Sequence, residues 1–260
     1  MKKLKIWGFV LLYVMCTTLT ACGGDNSNNT PTTLNVNPDV IKLYYEETRQ
    51  LSSEGATSWN SENEFVAKVD NTGLVKGGHV GTTNVFASND NAMGKCTVTI
   101  IPKHDLYDTP IIEWGATINT IMSKETHKLL SYTSDNYLGY DYSKNRHSAL
   151  LLYGFENSQL KSVSILMSLY DYTNAGDYLL ERYQPISIDK ANYQIIFIDA
   201  MTADKAKNVV ALETTEMSNQ TMTMIMYIQH NSATKVSAVH RSAVINNLSI
   251  PEEMLSILKK

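Results

Sequence analysis

Two glycines, Gly73 and Gly78, have the G-x-x-x-x-G spacing of a loop that can cradle phosphate groups. A nucleotide-binding loop of this kind also needs a lysine and a serine or threonine directly after the second glycine. His79 and Val80 stand at those positions, and no strand-loop-helix pattern surrounds them. Gly73 follows Asn71 closely, and both residue types tolerate the positive φ of a tight turn. The segment therefore predicts a turn between strands, and no cofactor is expected.

The histidines and carboxylates form no recognisable catalytic or metal-binding pattern. The isolated histidines are His127, His147, His230 and His240. None has a second ligand at the spacing that zinc sites use, and no G-x-S-x-G motif marks a nucleophile. Glu156, Asp171 and Asp199 flank predicted strands, but their positions along the chain do not pair them as acid and base. We expect no metal, no catalytic residue and no enzymatic activity.

Tyrosine is the residue type that stands out in the second half of the chain. The tyrosines crowded there are Tyr132, Tyr137, Tyr140, Tyr142, Tyr153, Tyr170, Tyr172, Tyr178, Tyr183 and Tyr193. Exposed aromatic rings can stack on sugars or anchor a protein partner, whereas strand tyrosines often pack their rings and leave the hydroxyl in water. Tyr140 and Tyr142 share one face of a predicted strand, because side chains alternate along a strand. This pair is the candidate binding surface.

The N-terminus reads as an export signal. Lys2, Lys3 and Lys5 precede the apolar run of residues 6–15, which is too short to span a bilayer as a stable helix. The following residues 19–22, LTAC, resemble the lipobox of bacterial lipoproteins. This resemblance implies a signal peptide over residues 1–21 and acyl chains, palmitate among them, on Cys22. Several chains on one residue would give a stable membrane anchor.

Residues 22–32 are polar and lack hydrophobic periodicity, which predicts a flexible tether. Their glycine-rich, acidic composition resembles lipoproteins that gut Bacteroidetes export to the outer membrane surface. The resemblance implies an outer-membrane, cell-surface location. The formal net charge of −4 gives no reason to expect a nucleic-acid partner, which would call for a basic face.

Residues 33–103 carry short strand patterns separated by turn residues, which predicts an all-β sandwich. Cys96 alternates with its neighbours in one of these strands and is predicted to be a packing residue. The segment resembles the bacterial Ig-like domain, group 2. The matching positions are Trp59, Val66, Ala67, Val69, Asp70, Gly73, Leu74, Val75, Gly77, Gly81 and Thr82. The resemblance implies a spacer or adhesive module, with Trp59 in the core and Asp70 in a turn.

The hydrophobic pattern of residues 104–260 differs from that of residues 33–103. Helical spacing predicts helices over residues 116–127 and 173–185, each followed by strand-like runs, and a capping box at Ser249 and Glu252 predicts a closing helix. The expected fold class is therefore multi-domain, with the sandwich followed by an α+β domain of two helix-plus-antiparallel-sheet units. This order resembles β-lactamase-inhibitor-protein-like folds, and the P-x-x-x-W-G pattern ending at Gly115 resembles other Bacteroidetes lipoproteins.

The sequence as a whole favours a lipid-anchored envelope protein without enzymatic activity. In this interpretation an Ig-like spacer presents the second domain to a protein or glycan partner in adhesion. One alternative is a surface-exposed glycan-processing hydrolase whose carboxylates meet only in the folded chain. Another is a periplasm-facing assembly or inhibitor protein, which the resemblance of the second domain implies.

Overall fold

The computed structural model describes residues 33–134, 136–217, 219–230 and Leu258. The predicted signal peptide, tether, last strand (residues 234–240) and closing helix lie outside these residues, Leu258 excepted. In the N-terminal part the strands are β1 (Val40–Leu43), β2 (Thr48–Gln50), β3 (Ser58–Ser61), β4 (Ala67–Val69), β5 (Leu74–Gly77), β6 (Gly81–Ser88) and β7 (Met93–Ile100). The predicted boundaries between domains stay predictions.

These strands form two sheets around one apolar core. The first has the order β1-β7-β6-β3, with β1 parallel to β7, and the second has the order β2-β5-β4. Alternate residues of β6 and β7 point inward, among them Val85, Cys96 and Val98, which are fully buried. Burial raises the pKa of the Cys96 thiol to about 11, so the cysteine packs as an apolar side chain. The predicted packing role of Cys96 is confirmed.

Gly73 lies in the turn between β4 and β5, as predicted, whereas Gly78 directly follows β5. Asp70 accepts hydrogen bonds through Oδ1 from the backbone N–H groups of Thr72 (2.8 Å) and Leu74 (3.0 Å). Gly73 has φ +83°, and a Cβ at this position would lie 2.9 Å from the Leu51 carbonyl oxygen and from the ring of Trp59. Only glycine meets both conditions without strain.

The second part contains two short helices and eight strands within the described residues. They are α1 (Ile118–Lys124), β8 (Lys128–Ser134), β9 (Tyr137–Asp141), β10 (Ala149–Glu156), β11 (Gln159–Ser168), α2 (Tyr172–Leu180), β12 (Gln184–Asp189), β13 (Gln194–Ile198), β14 (Asn208–Met217) and β15 (Gln220–Gln229). Both predicted helices exist but are shorter than expected. The second ends at Leu180, and Pro185 lies in β12 rather than at the end of a helix.

The predicted α+β class with two helix-plus-sheet units is wrong. Strand makes up 50% of the structure and helix only 12%. The eight strands form one sheet with the order β12-β13-β14-β15-β11-β10-β9-β8. The two sets of four strands join because β11 pairs with β15, for example Val163 with Tyr227. The chain is therefore a mostly β protein with several sheets, and the two predicted units share a single large sheet.

One face of the eight-stranded sheet, called the helix face below, is covered by the two helices and by the linker, residues 101–117 between β7 and α1. Ala175, Tyr178 and Leu179 of α2 are buried against it, at the i, i+3, i+4 spacing of one helical stripe. Ile121 of α1 and Tyr107 of the linker complete this layer. The helix face is thus a continuous core between the sheet and a thin helical layer.

The opposite face, called the methionine face below, consists of Met222, Met224 and Met226 together with one tyrosine and aliphatic residues of other strands of the sheet. Those other residues are Tyr137, Leu150, Leu152, Leu166, Ile196, Ile198, Val209 and Ala211. All are buried. From outside the strands, the described residues contribute only Ala206 and Leu258 to this cluster.

A polar joint connects the sandwich to the eight-stranded sheet. The carboxylate of Glu181, at the end of α2, accepts hydrogen bonds from the backbone N–H groups of Lys103 (3.0 Å) and His104 (3.1 Å). The Glu181 carbonyl accepts another from the backbone N–H of Val80 (2.7 Å). His79 is buried between the two parts, where its Nδ1 donates to the Leu180 carbonyl at 3.2 Å. Burial lowers the pKa of His79, which favours the neutral ring at the joint.

Candidate functional site

The structure places Tyr140 and Tyr142 on the helix face, on the same side of the chain as predicted, but inside the core. Their exposed fractions are 3% and 2%. The Tyr142 hydroxyl donates to the Asp108 carbonyl at 2.8 Å, and the Tyr140 ring contacts Tyr153 edge to face. Burial raises the pKa of both hydroxyls. The expectation that this pair forms an exposed surface is wrong, since neither ring can reach a ligand.

A charged network surrounds this tyrosine cluster. Glu125 accepts hydrogen bonds from His127 Nδ1 (2.6 Å) and from the Tyr153 hydroxyl (2.7 Å). His127 Nε2 lies 3.3 Å from Asp108 Oδ2, and Asp108 also accepts from Lys144 Nζ at 2.7 Å. These contacts tie the linker to the α1–β8 connection and the β9–β10 turn, and they tie that connection to β10. The network is a clamp that holds the linker on the sheet.

Acid should weaken this clamp. Burial acts to raise the pKa of Glu125, but the hydrogen bonds from Tyr153 and His127 outweigh burial and leave the pKa below its ordinary value of 4.5. A carboxylate with a lowered folded-state pKa stabilises the fold above its unfolded-state pKa, and this stabilisation is lost as the pH falls through the folded-state value. We expect the free energy of unfolding to fall less below about pH 4 in Glu125→Gln than in the wild type. Urea unfolding between pH 7 and pH 3 measures this.

The exposed Glu156, at the end of β10, provides the control for that titration. The Glu156→Gln variant should keep the acid sensitivity of the wild type. If both variants follow the wild-type curve at every pH, Glu125 is not the group that the acid acts on.

The three carboxylates singled out from the sequence are not brought together. Glu156 and Asp171 lie at opposite ends of the ten-residue strand β11, about 30 Å apart. Asp199 is at the same end as Glu156 but four strand spacings away, about 19 Å. Acid–base pairs of glycosidases stand about 5–9.5 Å apart. Asp171 instead receives a 2.7 Å hydrogen bond from His147 Nδ1.

Among the described residues, two short histidine–carboxylate hydrogen bonds were not predicted from the sequence, His127 with Glu125 and His147 with Asp171. The first pair is two residues apart and could have been found from the order of residues after α1. The second joins residues 24 positions apart, and only the fold brings them together. Within residues 33–134, 136–217 and 219–230, no group of three or more His, Cys, Asp or Glu side chains is arranged to hold a metal ion.

An exposed ring, that of Tyr193, lies at the β12 edge of the eight-stranded sheet, beside the half-buried Tyr172. We call Tyr172 and Tyr193 the aromatic patch. Tyr193 is 63% exposed, and the rings of Tyr172 and Tyr193 meet at 90° with 6.3 Å between centroids. Ile188, also largely exposed, pairs with Ile195 on the adjacent strand. The patch therefore presents rings and an aliphatic side chain to solvent.

Two local features hold the patch in place. Asp189 Oδ1 accepts hydrogen bonds from the backbone N–H groups of Ala191 (3.0 Å) and Asn192 (3.2 Å), which fixes the β12–β13 turn. The Tyr172 hydroxyl then donates to the Tyr193 carbonyl at 3.0 Å, which links the start of α2 to this turn. The rings are presented by the ends of two packed elements rather than by a free loop.

The backbone of Tyr193 is in the left-handed region, with φ +48°. This conformation costs a non-glycine residue about 1–2 kcal/mol, and a bulky residue there is an outlier. Strain of this kind is often kept where a side chain has a function. Tyr193 thus combines an exposed ring, a fixed orientation and a conformation that glycine would adopt more easily.

Comparison with known proteins identifies the first part of the chain. Residues 29–101 match the bacterial Ig-like domain (group 2) family, which confirms the resemblance seen in the sequence for this segment. The comparison with curated proteins gives no match for the chain. Among the described residues, no helix has the length and apolar character needed to cross a membrane.

Two solved structures are similar at low identity. Domains 5–6 of the S-layer protein SbsC share 12% identity, with 78% of this chain and 86% of that chain covered and a TM-score of 0.23. Domains 4–9 of the surface layer protein SbsC share 10% identity, with 78% of this chain and 27% of that chain covered and a TM-score of 0.22. Scores this low carry no argument about this chain. The lipoprotein character and the resemblance of the second part to inhibitor-protein folds stay predictions.

Proposed function

We propose that this protein is a lipid-anchored cell-surface protein that binds a protein or glycan through the aromatic patch. The Ig-like domain acts as the spacer between the membrane and the eight-stranded sheet. The observation that carries the proposal is Tyr193, an exposed ring held in a strained conformation and braced by Tyr172. Exposed, pre-organised tyrosines supply large contact area at low entropic cost, which suits a recognition surface.

The joint supports the display part of this proposal. A spacer holds a binding domain in a defined position only if the two parts are firmly joined. Here the end of α2 contacts both the linker and the loop around Val80 through Glu181. The same helix begins at Tyr172, in the aromatic patch. One short helix therefore connects the spacer to the proposed binding surface.

A binding screen tests the function directly. The purified protein is exposed to host glycans, polysaccharides and envelope extracts, and both retention and product release are recorded. We expect saturable binding of an intact ligand. Release of cleaved product would make the protein an enzyme and would contradict the proposal.

Membrane anchoring has its own test. Replacing Cys22 with alanine should move the protein from the membrane pellet to the soluble fraction, because the residue that would carry the acyl chains is gone. Cys16→Ala is the matched control, since the predicted cleavage removes Cys16 and anchoring should not change. Fractionation and immunoblotting compare the two. If Cys22→Ala stays in the membrane as Cys16→Ala does, the protein is not anchored through this cysteine.

A further inference from the structure

The side chains of the methionine face are buried, but no helix or strand among the described residues covers them. Met222, Met224 and Met226 are at most 3% exposed, at alternate positions of β15. The helix face of the same sheet is covered by α1, α2 and the linker. Over the methionine face the described residues from outside the strands are Ala206 and Leu258 alone.

Leu258 indicates which part of the chain covers this face. It is half-buried, packs against the methionine cluster, and shares a groove with Met222 and Leu169. It lies 28 positions beyond His230, which directly follows β15. The C-terminal part of the chain is therefore at the methionine face at Leu258.

The cost of exposing the methionine face and the composition of the C-terminal segment both favour that segment as the cover of this face. Exposing a buried Met or Leu side chain costs about 1.5–3 kcal/mol, so an uncovered face of this composition would destabilise a soluble domain. The C-terminal segment has matching chemistry, since Met254, Ile257 and Leu258 fall at the spacing of one apolar helical stripe. We propose that residues 231–260 dock on the methionine face as its permanent intramolecular cover. This proposal is independent of the aromatic patch and of membrane anchoring.

Peroxide footprinting of the intact chain tests the cover. Oxidation of methionine to the sulfoxide follows exposure and is read at each residue by mass spectrometry. Met224 and Met226 should oxidise several-fold more slowly than the exposed Met93 and Met122. In a variant with both Ile257→Asp and Leu258→Asp, the rates at Met222 and Met224 should rise several-fold. The near-ultraviolet circular dichroism of this variant should match that of the wild type, which shows that the core of the helix face stays packed.

The matched control carries two aspartates at the neighbouring polar positions, Lys259→Asp with Lys260→Asp, and should keep the wild-type rates. Face methionines that oxidise as fast as Met93 in the intact chain would overturn the proposal. So would face methionines whose rates do not change in the variant with aspartates at positions 257 and 258.

A cross-link tests the proposal if the variant unfolds, which loss of the near-ultraviolet circular dichroism would reveal. In the otherwise intact chain, Leu258→Cys combined with Met222→Cys should form a disulfide under mild oxidation, because both residues line one groove. Leu258→Cys combined with Met93→Cys is the control pair and should not. No cross-link in the first pair, or equal cross-linking in both, would overturn the proposal.

Discussion

Replacing Glu181 with alanine is expected to destabilise the protein by about 2–3 kcal/mol and to loosen the sandwich from the sheet. The Glu181 carboxylate is almost fully buried and accepts from the backbone N–H groups of Lys103 and His104. Truncation removes these hydrogen bonds to a charged group, a type of contact worth about 1.5–3 kcal/mol. Urea unfolding measures the first effect, and the maximum dimension from solution X-ray scattering measures the second.

Two further variants sharpen this result. Glu181→Gln keeps one carbonyl acceptor, so it should lose less stability than Glu181→Ala. Glu113→Ala removes an exposed ion pair with Lys124, a type of contact worth about 0–1 kcal/mol. If Glu181→Ala behaves like Glu113→Ala in both measurements, the contacts of Glu181 do not hold the joint.

The second large effect is expected at Tyr193, where glycine should abolish binding without harming the fold. Glycine adopts φ +48° freely, so Tyr193→Gly removes the ring while relieving about 1–2 kcal/mol of backbone strain. Loss of a binding hot spot costs 2 kcal/mol or more, which corresponds to an affinity at least about 30-fold weaker. Titration of the ligand found in the screen measures binding, and urea unfolding measures stability.

Tyr193→Ala separates the ring from the backbone. It removes the same ring but keeps a Cβ, so it should bind as poorly as Tyr193→Gly while unfolding more easily. Tyr137→Phe provides a folded control in the buried part of the sheet. Undiminished affinity in Tyr193→Gly would exclude the aromatic patch as the binding surface.

Local patterns predicted most of the individual strands, because each carries its own β-rich run bounded by turn residues. The pairing of β11 with β15 escaped prediction, since it joins residues about sixty positions apart, such as Val163 and Tyr227. Strand β12 was missed because Pro185 reads as the end of a helix. In the structure it is an edge strand with a bulge at this position, where proline is tolerated.

The alternation of side chains along the strands could not predict which tyrosines are exposed. Alternation separates an inner from an outer face only when one face of the sheet meets water. Residues 137–140 of β9 are buried on both faces, so their spacing carries no information on exposure. Tyr193 is exposed because the β12–β13 turn lies at the sheet edge, which depends on the order of all eight strands.

The most direct test of the display proposal is ligand capture by intact cells that carry either the wild-type protein or Tyr193→Gly at equal amounts. We expect that wild-type cells retain a component of the glycan, polysaccharide and extract panel, and that cells with Tyr193→Gly do not. Retention by neither kind of cell, or equal retention by both, would contradict it.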